Sequence, residues 1–311
     1  MNSNAALAGA ELCVICGPTA AGKSALALTL AERHGLEIVN ADSRQIYRGF
    51  DIGTAKPSAD DRARVTHHGV DVAEPTERWS AVRWADDARR AIAAAGVRRS
   101  LVVGGTGFYL RALVAPLFEA PALDPRRRDE LERELAALSL EDLRARVRAL
   151  DPPRAHLGRA QLLRAAEVAL LTGDRVSDLH RAAAQPRVFR TRWLVVDPLE
   201  ALPARMANRL DAMLASGWEQ EVRALDARVE GAAPAWQACG YRAVRALSRG
   251  ELDARAAREA ILIATRQYAK RQRTWFRHQI ATSGESVTGL DPRDPACGAL
   301  VENWWNSGEK A

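Results

Sequence analysis

Lysine is scarce in this chain: of 45 basic residues only Lys23, Lys56, Lys270 and Lys310 are lysines, and the rest are arginines. A high-GC genome produces the same bias, so the arginine excess alone does not assign phosphate binding. Long apolar runs are also missing. None approaches the ~18 residues that cross a bilayer, and the start Met1-Asn2-Ser3-Asn4-Ala5-Ala6 lacks the charged segment and cleavage pattern of a secretory signal. A cytoplasmic protein without membrane contact is therefore expected. Four cysteines in 311 residues make no disulfide scaffold. Cys13 and Cys16 sit inside an apolar run with no second pair to complete a zinc site, so they read as core residues. What is plentiful, 47% apolar and 27% charged residues, excludes disorder and supports one or two packed domains. The net charge of +6 makes a polyanionic partner plausible.

The first clear element is the apolar run Glu11 to Cys16, which leads into Gly17-Pro18-Thr19-Ala20-Ala21-Gly22-Lys23-Ser24. Helix formers follow from Ser24 to His34, closed by Gly35, so the pattern predicts strand, loop and helix. Similar runs at Leu36 to Val39, Ser100 to Val103 and Arg192 to Val196 alternate with helical stretches such as Ala81 to Ala95. That alternation predicts a parallel, doubly wound α/β sheet with ligands at its carboxyl ends. From residue 121 to 185 the strand signals stop. Leu131, Leu135 and Leu138, then Leu143, Val147 and Leu150, recur at helical spacing, and Ser139-Leu140-Glu141-Asp142 reads as a capping box. The expected organisation is a core of residues 1–120 and 186–311 with a helical insertion at 121–185. After residue 195 the chain reads as largely helical, with a loosely held last dozen residues.

Gly17 to Ser24 fits the pattern G-x-x-x-x-G-K-[ST] without exception. Glycines let backbone N–H groups converge on phosphate oxygens, and the following helix N-terminus adds a positive field. Lys23 neutralises charge, and the Ser24 hydroxyl can hold Mg²⁺. The loop thus predicts binding of a di- or triphosphate through Gly17, Pro18, Thr19, Ala20, Ala21, Gly22, Lys23 and Ser24. Asp42 and Asp197, each ending a strand, could each supply the magnesium-linked carboxylate of a nucleotide enzyme. A P-loop kinase of a small metabolite is consistent with these features alone.

Further segments narrow the choice. Asp42-Ser43-Arg44-Gln45-Ile46-Tyr47, Asp51-Ile52-Gly53-Thr54-Ala55-Lys56-Pro57, His67-His68-Gly69-Val70-Asp71 and Gly104-Gly105-Thr106-Gly107-Phe108-Tyr109 closely resemble the tRNA isopentenyltransferase (dimethylallyltransferase) family. So do Arg205 to Arg209 with Leu214 to Gly217, Gly240-Tyr241-Arg242, and Ala264 to Gln267 with Ala269 to Gln272 and Thr274-Trp275. The resemblance runs from about residue 11 to 280. It implies a P-loop-type α/β core with a helical insertion that grips the anticodon arm. It also implies that the phosphate loop receives dimethylallyl diphosphate, whose five-carbon group is transferred to N6 of an adenosine beside the anticodon.

Carried onto this chain, the resemblance and the chemistry assign roles. The N6 lone pair is delocalised, so the amine must lose a proton as it attacks, and Asp42 is the expected base. Arg209 is implied as the guanidinium that stabilises the departing diphosphate together with Mg²⁺. Thr106 is implied to contact the reacting groups and tRNA, with a helix N-cap as its other reading. Asp42, Ser43, Arg44, Gln45, Thr106, Arg128, Gln237, Ala238, Cys239, Gly240, Tyr241 and Arg242 are implied tRNA contacts. Tyr241 and Trp236 read equally as stacking platforms for a flipped base or as core aromatics. Arg255, Arg266, Lys270, Arg273 and Arg277 fall on one helix face, opposite Ala257, Ile261, Ala264, Tyr268 and Trp275. That stripe is either a phosphate-backbone surface or simply a solvated face. Ala160-Gln161 stands where the family carries a Gln-Arg pair, which puts contacts there in doubt. His67 and His68 are expected to shape their loop. The expected partners are a tRNA anticodon stem-loop and dimethylallyl diphosphate, with the chain acting as a monomer.

Overall fold

The computed structural model describes residues 7–115, 124–182, 187–280 and 285–308. It separates into two compact units, Met1–Val114 with Arg187–Ala311, and Ala115–Pro186. The boundaries expected beside residues 121 and 185 lie outside the described residues.

In the larger unit the order is β1 (Ala10–Cys16), α1 (Lys23–His34), β2 (Glu37–Ala41), α2 (Ala59–Arg64), β3 (His67–His68), α3 (Ala81–Ala95), β4 (Ser100–Gly104) and α4 (Gly107–Val114). The smaller unit contains α5 (Pro125–Ala136), α6 (Leu140–Leu150), α7 (Arg159–Thr172) and α8 (Val176–Ala182). The larger unit resumes with β5 (Phe189–Val196), α9 (Leu202–Ala215), α10 (Trp218–Asp226), α11 (Tyr241–Ser248), α12 (Ala254–Gln279), β6 (Ser286–Leu290) and α13 (Cys297–Asn306).

The six strands form one parallel sheet in the order β3-β2-β4-β1-β5-β6. The α/β reading therefore holds. Strands buried on both faces explain the continuous apolar runs: Leu12, Val14, Ile15 and Cys16 of β1 are fully buried, as are Leu101 and Val102 of β4. From β1 the chain runs outward to β2, and from β4 it crosses to β5 on the other side. The crevice of this doubly wound sheet thus opens beyond the carboxyl ends of β1 and β4.

The C-terminal reading needs correction. β6 extends the sheet beside β5, and α13 docks with Val301 and Trp304 buried in the cluster that holds Ile15, Leu30 and Leu194. Buried Arg192 donates to the Trp304 and Trp305 carbonyls at 2.8 and 3.0 Å, so these residues are no loose tail. Five-residue β6 is interrupted by glycine and has only Leu290 buried, which is why its strand signal is weak.

In the smaller unit Leu135, Leu143, Val147, Leu162, Ala165 and Ala166 make a separate core, with Leu131, Leu138 and Leu150 packed against it. Ser139 caps α6 by accepting from the Asp142 amide at 3.1 Å, and Gly173 closes α7 with φ 79°. Cys13 and Cys16 are free thiols within β1, and burial pushes both upward from the ordinary thiol range. His67 and His68, expected in a loop, form the short edge strand β3, where His67 bonds the Val65 carbonyl at 2.8 Å and His68 pairs with Glu37 at 2.7 Å.

Candidate active site

The strand β1 turns out of the sheet at Gly17, where only glycine fits: a Cβ there would stand 2.1 Å from the Val196 carbonyl oxygen. Gly22, with φ 102°, opens α1 with no side-chain cap, so the first-turn amides and the helix field remain available to an anion. Lys23 folds its Nζ back onto the Pro18 carbonyl at 2.8 Å. Burial, with nearby Arg209 acting in the same direction and Asp42 opposing both, lowers its pKa to about 8. Ser24 stands exposed on the wall of the cleft above the loop.

Two guanidiniums from α9 reach this loop. Arg205 donates from Nε to the Ala20 carbonyl at 3.0 Å, and Arg209 approaches the Thr19 hydroxyl at 3.5 Å. Burial lowers the Arg209 pKa, while the Asp42 carboxylate partly restores it. This opposition of a half-buried guanidinium, a lysine and a carboxylate marks the end of β1 and β2 as the chemical centre.

Asp42 follows β2. Its Oδ1 accepts the Arg44 amide at 2.8 Å, which fixes the rotation of the carboxyl group. Thr106 follows β4 at the entrance of α4, where the Leu110 amide donates to its carbonyl at 3.2 Å. Its hydroxyl, however, accepts the Ser43 amide at 3.0 Å, so it ties the β2 turn to the β4 turn. Thr106 thus has the N-cap position of α4, while its hydroxyl is turned to the residue that follows Asp42.

Apart from Thr106, these groups line a passage made of adjoining cavities with shared walls. A cleft of about 1000 Å³ covers Lys23, Ser24, Asp42, Arg205 and Arg209. It shares Thr19, Ala20, Asp42, Arg209, Met213 and Tyr268 with a narrower chamber whose other walls include Met206, Leu210, Trp218 and Ile261. That chamber shares Arg44, Ala238, Cys239, Ile261 and Tyr268 with an outer mouth that adds Gln237, Gly240, Arg242 and Arg271. One end is built for anions, the middle is largely apolar around a carboxylate, and the far mouth is cationic.

Of the expected tRNA contacts, Asp42, Arg44, Gln237, Ala238, Cys239, Gly240 and Arg242 line this passage or its mouth. Three others are otherwise engaged. Gln45 borders the cleft but is only 9% exposed and donates from Nε2 to the Thr54 and Ala55 carbonyls, both at 3.0 Å, so it braces the following loop. Tyr241 is fully buried and donates its hydroxyl to Glu221 at 2.6 Å. With Phe50, Trp218 and Trp236 it forms an aromatic core, so Tyr241 and Trp236 are core residues rather than stacking platforms. Arg128, in the smaller unit, pairs with buried Glu167, which Arg164 also holds.

The stripe on α12 divides. Arg273 is committed to Asp197 through two hydrogen bonds of 2.8 and 2.6 Å, whereas Arg255, Arg266, Lys270 and Arg277 are exposed. The cations at the mouth come from elsewhere: Arg44, Arg242 and Arg271. Sequence reasoning also missed Tyr268, which borders all three compartments, and Gln272, which borders the cleft. Tyr268 was hidden in an apolar helical seam, and no local pattern sets it apart. Among the described residues no group of three or more His, Cys, Asp or Glu could hold a metal.

With this geometry in place, comparison with known proteins is decisive. A family model described as IPP transferase matches residues 45–279, and one described as Isopentenyl transferase matches residues 10–67. The chain belongs to the IPP transferase family. It is 44% identical over 305 residues to a tRNA dimethylallyltransferase of Anaeromyxobacter sp. (strain K), covering 92% of this chain and 99% of that protein. A Halorhodospira halophila protein of the same name is 46% identical over 291 residues, covering 90% and 93%. Among solved structures, a tRNA delta(2)-isopentenylpyrophosphate transferase from Staphylococcus epidermidis superposes with a TM-score of 0.66 at 26% identity, covering 97% of this chain and all of that one. A eukaryotic dimethylallyltransferase acting on tRNA has the same fold, with a TM-score of 0.77 at 24% identity over 94% of this chain and 77% of that one.

Proposed function

We infer that this IPP transferase family member is a tRNA dimethylallyltransferase, moving a five-carbon allylic group from dimethylallyl diphosphate to N6 of an adenosine beside the anticodon. The observation that carries the reading is the passage itself, with an uncapped helix N-terminus and half-buried cations at one end, Asp42 in the middle and a cationic mouth at the other. A flipped purine enters from the mouth and the donor from the phosphate loop.

The N6 lone pair attacks the allylic C1 as the C1–O bond breaks. The proton on N6 passes to Asp42, whose rotation the Arg44 amide fixes. The bond's electron pair leaves with diphosphate, whose growing charge meets Lys23, Arg209 and the first-turn amides of α1. Ser24 and the donor's own phosphate oxygens suit Mg²⁺, a cation that keeps waters and borrows substrate oxygens rather than needing a carboxylate cage. Bound there, the ion would add charge neutralisation at the leaving group. The active unit is taken as one chain, because a single chain supplies every wall of the passage, and the helical unit Ala115–Pro186 as a second tRNA contact. The cytoplasm, where unmodified tRNA is found, is its place of work.

A small-metabolite kinase is the competing reading. It loses one of its two strand-end carboxylates, since Asp197 is occupied by Arg273. Incubation of the protein with unmodified tRNA and either labelled dimethylallyl diphosphate or γ-labelled ATP separates the two. Label entering adenosine supports the transferase; phosphoryl transfer with unaltered RNA mass refutes it.

A further inference from the structure

The parallel ladder between β1 and β4 ends with the pair Cys16 and Gly104. Beyond it the two chains part, one into the phosphate loop and the other into the Gly105–Thr106 turn. No backbone rung continues the ladder across this crevice. A single side chain from α12 does so instead. Gln272, 6% exposed, accepts the Thr19 amide on Oε1 at 2.8 Å and donates from Nε2 to the Gly105 carbonyl at 2.8 Å. The partners fix the amide's orientation, because a backbone N–H only donates and a carbonyl only accepts.

The approach is close. A Cβ on Gly105 would stand 2.2 Å from the Gln272 Nε2 and 3.3 Å from the Gly17 carbonyl oxygen, so a larger residue there would push the Gln272 amide off its partners. The next residue, Thr106, accepts the amide of Ser43 beside Asp42, and Thr19 is the residue that Arg209 approaches. The two hydrogen bonds of Gln272 therefore join the loop that carries the donor to the β4 turn, and Thr106 ties that turn in its place to the segment that carries the base.

We propose that Gln272 is a positioning residue: by holding the Thr19 amide and the Gly105 carbonyl together it sets the separation between the donor's reacting carbon and the acceptor nitrogen. This rests on the transferase reading above. Transfer between two bound substrates is sensitive to such spacing, since a misplacement of about 1 Å can cost roughly 10²-fold. Gln272 also borders the cleft, so direct contact with diphosphate is the alternative role that the test must separate.

Two variants do this. Gln272→Met keeps length and volume but removes both hydrogen bonds. It should lower kcat about 30-fold while leaving the KM for dimethylallyl diphosphate within about three-fold. Gln272→Glu keeps the acceptor for Thr19 but sets a carboxylate against the Gly105 carbonyl. Once protonated, the same group donates to that carbonyl as the amide did. Its rate relative to the wild type at the same pH should therefore climb as pH falls from about 8 to about 5.5. An unchanged kcat in Gln272→Met, or a raised donor KM with kcat intact, overturns the proposal. So does a Gln272→Glu ratio that is flat with pH. If Gln272→Met fails to fold, the pH series of Gln272→Glu decides alone. Wild-type transfer in the same assay is the separate check on the activity itself.

Discussion

Asp42 and Asp197 end two parallel strands of one sheet, β2 and β5, yet their surroundings give them opposite capacities. Both oxygens of Asp197 are taken by Arg273, at 2.6 and 2.8 Å, and Oδ1 also receives the Leu199 amide at 3.0 Å. Asp42 takes one backbone amide on Oδ1 and borders the passage, with Arg209 and Lys23 near enough to affect its field without the bidentate grip that Arg273 has on Asp197. A strand-end carboxylate is thus only an opportunity. What decides its use is whether a neighbouring guanidinium has already filled its lone pairs.

The sharpest way to break this contrast is to neutralise each carboxylate in turn. Asp42→Asn should lower turnover by roughly 10² or more while tRNA affinity stays within a few-fold, as expected when a general base is lost. Asp197→Asn should leave turnover within about three-fold, because no reacting atom depends on it. Single-turnover kinetics with labelled donor read both, and a larger loss from Asp197 would reverse the assignment.

A smaller effect tests the cation beside Asp42. Arg209→Ala should raise the donor KM by about 10-fold or more, since a half-buried guanidinium facing a diphosphate makes a charge-assisted contact. Steady-state kinetics at saturating tRNA measure it, and a normal donor KM would remove Arg209 from the phosphate end.

The same end should sense pH. Burial depresses the Lys23 pKa to about 8, so in the free enzyme its ammonium is present below that pH and lost above it. kcat/KM for the donor should therefore decline as pH rises through about 8, whereas kcat at saturating donor should fall only at higher pH, because bound diphosphate favours the charged lysine. Asp197 contributes nothing to this profile, and Asp197→Asn should leave it unmoved.

What the chain reveals by itself follows the range of the interactions involved. The strand, glycine loop and helix from Glu11 to His34 were legible because their determinants are neighbours in sequence, and α3 was legible from Ala81 to Ala95 for the same reason. The leucine spacing of the smaller unit's helices was equally local. The fate of Asp197 was not legible, since Arg273 lies 76 residues away on another element. Nor was Gln272, which meets Thr19 across 253 residues. Tyr241 stayed open between base platform and core aromatic because what decides it is Glu221 on α10, 20 residues away, which draws its hydroxyl into the core.

The smallest expected effect concerns the idle carboxylate alone. The Arg273–Asp197 pair is bidentate, and its side chains are 35% and 21% exposed, so solvent screens it only in part. Its coupling should lie near the top of the range for surface pairs, about 1 kcal/mol. A double-mutant cycle of Asp197→Asn and Arg273→Gln, followed by urea unfolding, isolates that term if the slope of the transition is unchanged. Arg273→Gln alone should cost more than the cycle's coupling energy, because it leaves a half-buried carboxylate without its partner. A coupling near zero would mean that the pair is not what occupies Asp197, and the contrast with Asp42 would then need another cause.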